Sequence, residues 1–447
     1  MSSAAATWVA DREFGWLPAV LMAVAVLFLT LPEGLDWNEI LQAPRLVYAQ
    51  QAVGGTLVRK LQWLPLYAVA GYILLRRSNL SWALARRLNP MLVAYVAWCF
   101  VSVLWSAYPE VTLRRAVQIV GILLMAMSFQ VASWRPQQFQ SVLRLCLTPV
   151  AIASIILVIV MPSLAVHQEN LPELRNAWRG ITDHKNSLGL TALLLTMLWL
   201  HAWLTREQPL GRCLAGALVA IICLLGARSS TNVVVALLGC GLIWLLLNPP
   251  LFLRSSLTWL GGLLAVIILV SGFVVVWGLP TVEGLLTPLT GSFGKDLTFS
   301  GRTFIWQELI LEISHHPWLG TGFGAFWLGA EPGLPSAELL QHIGFFVLQG
   351  HNGFLDVLNE TGVIGLFLLL MAFIVHGAMG IRTLALNRPA AALHLTFFVC
   401  FLIGNLTENN FRLFGPGFAL FFFSSATLSR LRLEHDLQAA YPRPHEA

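Results

Sequence analysis

Twelve apolar stretches, each near the ~20 residues an α-helix needs to cross the hydrocarbon of a bilayer, punctuate this chain of 447 residues. They fall at about 15–32, 61–75, 91–107, 116–133, 145–161, 187–204, 213–227, 231–247, 257–279, 361–379, 390–405 and 413–428. Lipid offers no water to an unpaired N–H or C=O, so stretches in series imply a helical bundle. The expected fold is therefore all-α: a polytopic membrane bundle of about twelve transmembrane helices. Its parts are an N-terminal bundle of about nine spans (1–279), a large loop with short helices (280–360), and C-terminal spans with a cytoplasmic tail (361–447). The first stretch reads as a span rather than a cleaved signal, because Leu31-Pro32-Glu33-Gly34 offers no small-x-small site and further spans follow.

Composition agrees. Hydrophobic residues make up 57% and charged residues 11%, against about 25% charged in soluble domains. This deficit excludes a cytosolic enzyme, a disordered scaffold and a nucleic-acid binder. The net charge of +5 contains no Lys/Arg block that could track a phosphate backbone, so it reads as membrane topology. Cys99, Cys146, Cys213, Cys223, Cys240 and Cys400 lie in or beside apolar runs without metal-ligand spacing, as packing residues do.

Basic residues in short loops set the orientation. With twelve spans, Arg76, Arg77, Arg86, Arg87, Arg135, Arg144, Arg206, Arg212, Arg254, Arg382, Arg388, Arg430 and Arg432 all fall on one face, the cytoplasmic one by the positive-inside rule. Arg45, Arg59, Lys60, Arg114 and Arg115 dilute the bias. The opposite face receives the segment from Arg179 to Asn186, the turn from Arg228 to Thr231, the 280–360 loop and the turn from Thr407 to Arg412. A loop that long is usually functional. Within it, residues 302–314 read as an amphipathic helix lying along the membrane surface.

Several residues on this face could carry chemistry. His351 opens a run that continues into a span, with Asn352, Asp356 and Asn359 on one helix face and Gly362 and Gly365 available for close backbone approach. The histidine could serve as a general base or simply cap the helix. Arg228 stands between two closely spaced spans, where burying a charge is costly, although snorkelling to the interface would also place it there. Arg302 follows Ser300-Gly301 at a helix start; its fork of five donors suits a diphosphate, and a helix N-terminus favours anions. Arg179, His184, Lys185 and Asn186 could grip the same anion or a sugar, or form a solvated loop. Glu408, Asn409 and Asn410 could bond sugar hydroxyls or form a plain polar turn. Gly320-Thr321-Gly322-Phe323-Gly324 lacks the preceding strand of a nucleotide fingerprint. His315-His316 has no further ligand at metal spacing, and no Asp-x-Asp pair marks a metal-dependent nucleotide-sugar transferase.

Arg228 in a span-to-span turn, the run Ser300 to Trp306, the run Pro317 to Gly324, and His351-Asn352 followed by Gly362 and Gly365 together resemble the O-antigen ligase/polymerase superfamily, over about residues 179–412. The resemblance implies an all-helical membrane protein of the bacterial inner membrane with a large periplasmic loop. It also implies glycosyl transfer from an undecaprenyl-diphosphate-linked glycan without metal or cofactor. His351 would then be the catalytic base, and Arg302 and Arg228 would hold the donor diphosphate; from the residues themselves, Arg179, Lys185, Asn186, Asn352, Glu408 and Asn409 are the candidates to bind substrate. Arg228 is followed by Ser229-Ser230-Thr231 where relatives often have glycine. The segments Arg179–Asn186 and Trp318–Trp327 look closer to exopolysaccharide polymerases, whose acceptor is a lipid-linked glycan. A ligase, which transfers to lipid A-core, is the alternative. A lipid-oligosaccharide flippase fits less well, because the polar residues gather at one surface and no matching halves are seen. Other polysaccharide-secretion proteins are expected partners.

Overall fold

The computed structural model describes residues 14–32, 53–133, 137–168, 174–249, 302–411 and 415–440. Within them the chain is helical, with one isolated antiparallel bridge, Val166 to Trp178. Numbered in chain order among these residues, the single turns Ser102–Leu104 and Pro162–Ala165 left aside, the helices are α1 (Leu17–Thr30), α2 (Leu57–Arg76), α3 (Ser78–Ala85), α4 (Pro90–Val101), α5 (Pro109–Ala132) and α6 (Gln138–Val160). Then come α7 (Lys185–Leu204), α8 (Leu210–Gly226), α9 (Ser230–Leu247), α10 (Arg302–His315), α11 (Ala337–Ile343), α12 (Gly353–Leu386), α13 (Arg388–Gly404) and α14 (Pro416–Ala440).

Five of these, α5, α6, α7, α9 and α12, are long and apolar enough to cross a membrane. The pair α3 and α4, bent by 97°, would make a sixth, while α1, α8 and α13 are apolar but shorter. The twelve expected spans thus appear as five or six helices of crossing length among the described residues. The stretch at 257–279 lies outside those residues, as do Arg45, Arg135, Arg254 and Arg412. Asparagines cap three of these helices. Asn89 accepts hydrogen bonds from the amides of Met91 and Leu92, with Pro90 at the first position of α4. Asn387 caps α13 through Ala390.

Around the site, α7 packs between α8 and α9, α9 against α13, and α12 against α4 and α13. The apolar face of α10, formed by Ile305, Trp306, Leu309 and Ile313, is buried. It docks on α12 and α11. Helix α12 begins at Gly353, not near 361, and breaks at Gly362 (φ 67°, ψ −177°), a conformation essentially restricted to glycine. The segment 317–324 docks on this break. Val363 donates its N–H to the Pro317 carbonyl (2.9 Å), and Thr321 and Gly322 donate theirs to the carbonyls of Asn359 (2.9 Å) and Glu360 (3.0 Å). A side chain on Gly362 would collide with the Trp318 carbonyl, and one on Gly320 with the Glu360 backbone. The glycines expected to permit close approach do so at Gly362; beside Gly365 lie the side chains of Thr361 and Trp98.

Candidate active site around the Glu408 carboxylate

Glu408 lies in the turn after α13, its side chain 13% exposed. Donors from three distant segments meet on it. Arg302, the first residue of α10, donates from Nη2 to Oε1 at 2.6 Å and from Nη1 to the Thr407 carbonyl. Asn186, in the first turn of α7, donates from Nδ2 to Oε1 at 2.8 Å. His351 Nδ1 is 3.2 Å from Oε2. Burial alone would push the Glu408 carboxyl up, but the His351 hydrogen bond and the Arg302 charge outweigh it and hold the group at about 2.

An ionised carboxylate only accepts, so the Nδ1 facing it carries the hydrogen. The Gln349 amide reaches the same nitrogen at 3.3 Å, and the shorter, charged contact decides the tautomer. The tautomer with its hydrogen on Nδ1 has its lone pair on Nε2. His351 and Arg228 both adopt left-handed backbone (φ 50° and 49°), strain of the kind that clusters at functional sites.

The surroundings favour negative charge. The N-terminus of α7 arrives through Asn186, and that of α9 through Thr231, whose hydroxyl is 3.2 Å from the Thr407 hydroxyl. The N-terminus of α12 arrives through Gly353, whose N–H points to the carbonyls of Asn405 (3.0 Å) and Glu408 (3.2 Å). With Arg302 opening α10, the first turns of four helices contribute residues to one small region, and a helix N-terminus favours negative charge. Arg302 uses two of its N–H groups on Thr407 and Glu408, leaving the rest of its fork for a ligand. Alongside, a mainly apolar cavity between α7, α9, α13 and α14 reaches Asn232, Gly404 and Asn410 at the cluster's edge.

The other expected site residues are placed differently. Arg228 is exposed and donates to the Arg175 carbonyl at 3.3 Å. It stands at the rim, next to Ser229, whose hydroxyl accepts from the same Asn232 amide that reaches the Asn186 carbonyl. Arg179, 3% exposed, donates from Nε to the Leu164 carbonyl at 2.7 Å, and so ties down its own loop. Lys185 starts α7, its N–H held by His167 Nε2 at 3.2 Å. His184 caps that helix through Nδ1, and burial pushes its imidazole down to about 4, with Asp183 and Glu408 pulling the other way. Asn352, fully buried, caps α12 by accepting from Phe354 and Leu355; the capping role open to His351 belongs to its neighbour. Asn409 gives its amide N–H to Asp356 and accepts from the Phe411 N–H (2.9 Å), so its side chain is engaged within the protein. The structure thus brings together Arg302, His351, Asn186 and Glu408.

Sequence reasoning gave Asp356 no role at the site. Its carboxylate accepts from Trp327 Nε1 (2.8 Å) and the Gly350 N–H (3.0 Å) as well as from Asn409. The polar stripe Asn352–Asp356–Asn359 was the available signal; the partners, far away in sequence, were not.

Residues 214–370 match the family model described as O-antigen ligase. The chain is 28% identical over 298 residues to the exopolysaccharide production protein ExoQ of Rhizobium meliloti (strain 1021), covering 63% of this chain and 62% of that protein. It is also 29% identical over 218 residues to an O-antigen ligase of Pseudomonas aeruginosa (strain PAO1), covering 48% of this chain and 46% of that protein. The chain thus spans less than two thirds of the length of either relative. Arg228, Arg302 and His351 fall within the family match, and Glu408 beyond it. Over residues 214–370 the chain is thus similar to the O-antigen ligase domain, in agreement with the O-antigen ligase/polymerase superfamily that its motifs resemble.

Proposed function

We propose that this membrane glycan-transfer enzyme moves a glycan from an undecaprenyl-diphosphate carrier to an acceptor hydroxyl on the periplasmic face of a bacterial inner membrane, polymerising lipid-linked repeat units. The observation that carries the reading is the imidazole held by Glu408 through Nδ1, with Nε2 left as the base and the Arg302 fork beside it. His351 Nε2 takes the acceptor proton as the hydroxyl oxygen bonds to the anomeric carbon. The bond from that carbon to the diphosphate breaks, and the diphosphate leaves with the electron pair. Arg302 and the helix N-termini stabilise the developing charge in the role otherwise filled by a metal, and Arg228 at the rim meets the far phosphate. In this reading the bundle has its twelve spans, 280–360 forms the periplasmic loop, and other polysaccharide-secretion proteins take up the product.

The match to ExoQ covers the larger share of the chain, which favours the polymerase. The description of the family model and the Pseudomonas relative favour the second reading, a ligase that transfers to lipid A-core. The test is carrier analysis in a His351→Ala strain with normal membrane levels of the protein. Single repeat units accumulating on the carrier are the expected result. Full-length chains stranded on the carrier would mean a ligase, and undiminished polymer would refute the enzymatic assignment.

A further inference from the structure

The Asp356 side chain is 2% exposed, in the first turn of α12. A buried carboxylate is tolerated only when its oxygens are fully occupied, and these are. Oδ1 accepts from Trp327 Nε1 at 2.8 Å and from the Gly350 N–H at 3.0 Å; Oδ2 accepts from the same N–H at 3.0 Å and from Asn409 Nδ2. Gly350 immediately precedes His351, and Asn409 immediately follows Glu408. One carboxylate therefore pins the chain on both sides of the imidazole–carboxylate contact. The Gly350 carbonyl is held as well, by Trp306 Nε1 at 2.6 Å, on the helix that Arg302 opens. Gly350 has no room for a side chain, since a Cβ would lie 2.7 Å from Asp356 Oδ1. With Gly350 fixed at both N–H and C=O, the backbone that enters the left-handed turn at His351 is held in place.

We propose that Asp356 is a positioning residue for the transfer, setting the register between His351 and Glu408. This inference rests on the reading of His351 as the base. Asp356 touches no reacting atom and acts by keeping the Nδ1 contact aligned so that Nε2 meets the acceptor.

The chemistry of the pair supplies the test. Asp356→Asn converts one acceptor into an N–H₂ group; with its oxygen kept on Trp327 and Gly350, that group faces the Asn409 amide, donor against donor. Asn409→Asp reverses the second partner, which can then accept from position 356 while still accepting from Phe411. Purified variants in proteoliposomes would be assayed with lipid-linked saccharide extracted from a strain lacking the enzyme. Asp356→Asn is expected to lower kcat by roughly 10- to 100-fold, the scale of a small misplacement of a reacting group, with KM for the donor unchanged. Adding Asn409→Asp is expected to restore most of kcat, and adding Asp356→Asn to His351→Ala to cost nothing further. Should Asp356→Asn fail to fold, Asn409→Ala removes a single contact to Asp356 and is expected to show the same kcat-only loss. Full activity of a folded Asp356→Asn, a loss confined to KM, or no rescue by Asn409→Asp, each with His351→Ala inactive, would overturn the positioning role alone. An active His351→Ala would overturn both it and the functional reading.

Discussion

Replacing Glu408 with glutamine changes one oxygen into an N–H₂ group and nearly nothing in volume, yet three donors converge on the two oxygens of the carboxylate. The single remaining oxygen has to choose. Facing Arg302 and Asn186, it keeps a bond to a charged donor, worth ~1.5–3 kcal/mol. The new N–H₂ then faces His351 Nδ1, which has to accept, so the ring proton moves to Nε2 and the base is lost. The opposite orientation saves the tautomer but sets an amide donor against a guanidinium. At 1.36 kcal/mol per tenfold, the preference for the first orientation leaves about one molecule in ten to one in a hundred competent. Losing the carboxylate's support for the imidazolium lowers the rate further. The expected fall in kcat is ~10²- to 10⁴-fold, the range a general base contributes, with KM for the donor near its original value. The assay is polymer formed from lipid-linked donor in proteoliposomes, with the thermal midpoint of the variant as the control for folding. A well-folded Glu408→Gln within about threefold of the parent would show that the Nδ1 contact does not set the tautomer.

Two further outcomes follow from other parts of the fold. Gly362→Ala forces a side chain into a backbone conformation that costs ~1–3 kcal/mol in strain and drives it into the Trp318 carbonyl. The variant should melt below the parent in detergent and lose activity as the 317–324 segment lifts; an unchanged midpoint would show that this segment is not docked on the helix break. His184→Asn tests the pH dependence. The folded imidazole titrates near 4 and the unfolded one near 6.5, so the native state binds fewer protons between those values. The stability is complete above pH 6.5 and declines as pH falls toward about 4, by up to ~3 kcal/mol. Glu408, depressed to about 2 from an ordinary 4.5, contributes in the same direction but only below pH 4.5. Asparagine caps the Asn186 N–H without titrating. The thermal midpoint of the variant should therefore vary less between pH 7.5 and 5 than that of the parent, and equal slopes would exonerate His184.

The helical class was legible because a membrane leaves an apolar chain no other way to pair its backbone. Close backbone approach at Gly362 was legible for a local reason, because glycine-only conformations act within a few residues of their own position; the helix start at Asn352 and the break inside α12 were not read from the sequence. The partners of Glu408 lie 57, 106 and 222 residues away, and no local period encodes such distances. This explains why Asn352, Asn409 and Glu408 look alike in sequence, polar side chains on the outer face, and differ so much when folded. Asn352 and Asn409 satisfy buried backbone and a buried carboxylate, as most buried polar groups must, while Glu408 receives more donors than one turn can supply. A substrate-binding residue keeps hydrogen-bonding capacity in reserve and a structural one spends it. Arg302, with part of its fork uncommitted, meets that criterion; Asn409, engaged at both ends of its amide, does not. The chemistry of this face is thus decided by which donors and acceptors the packing leaves unspent, a property of the fold that residue type alone does not carry.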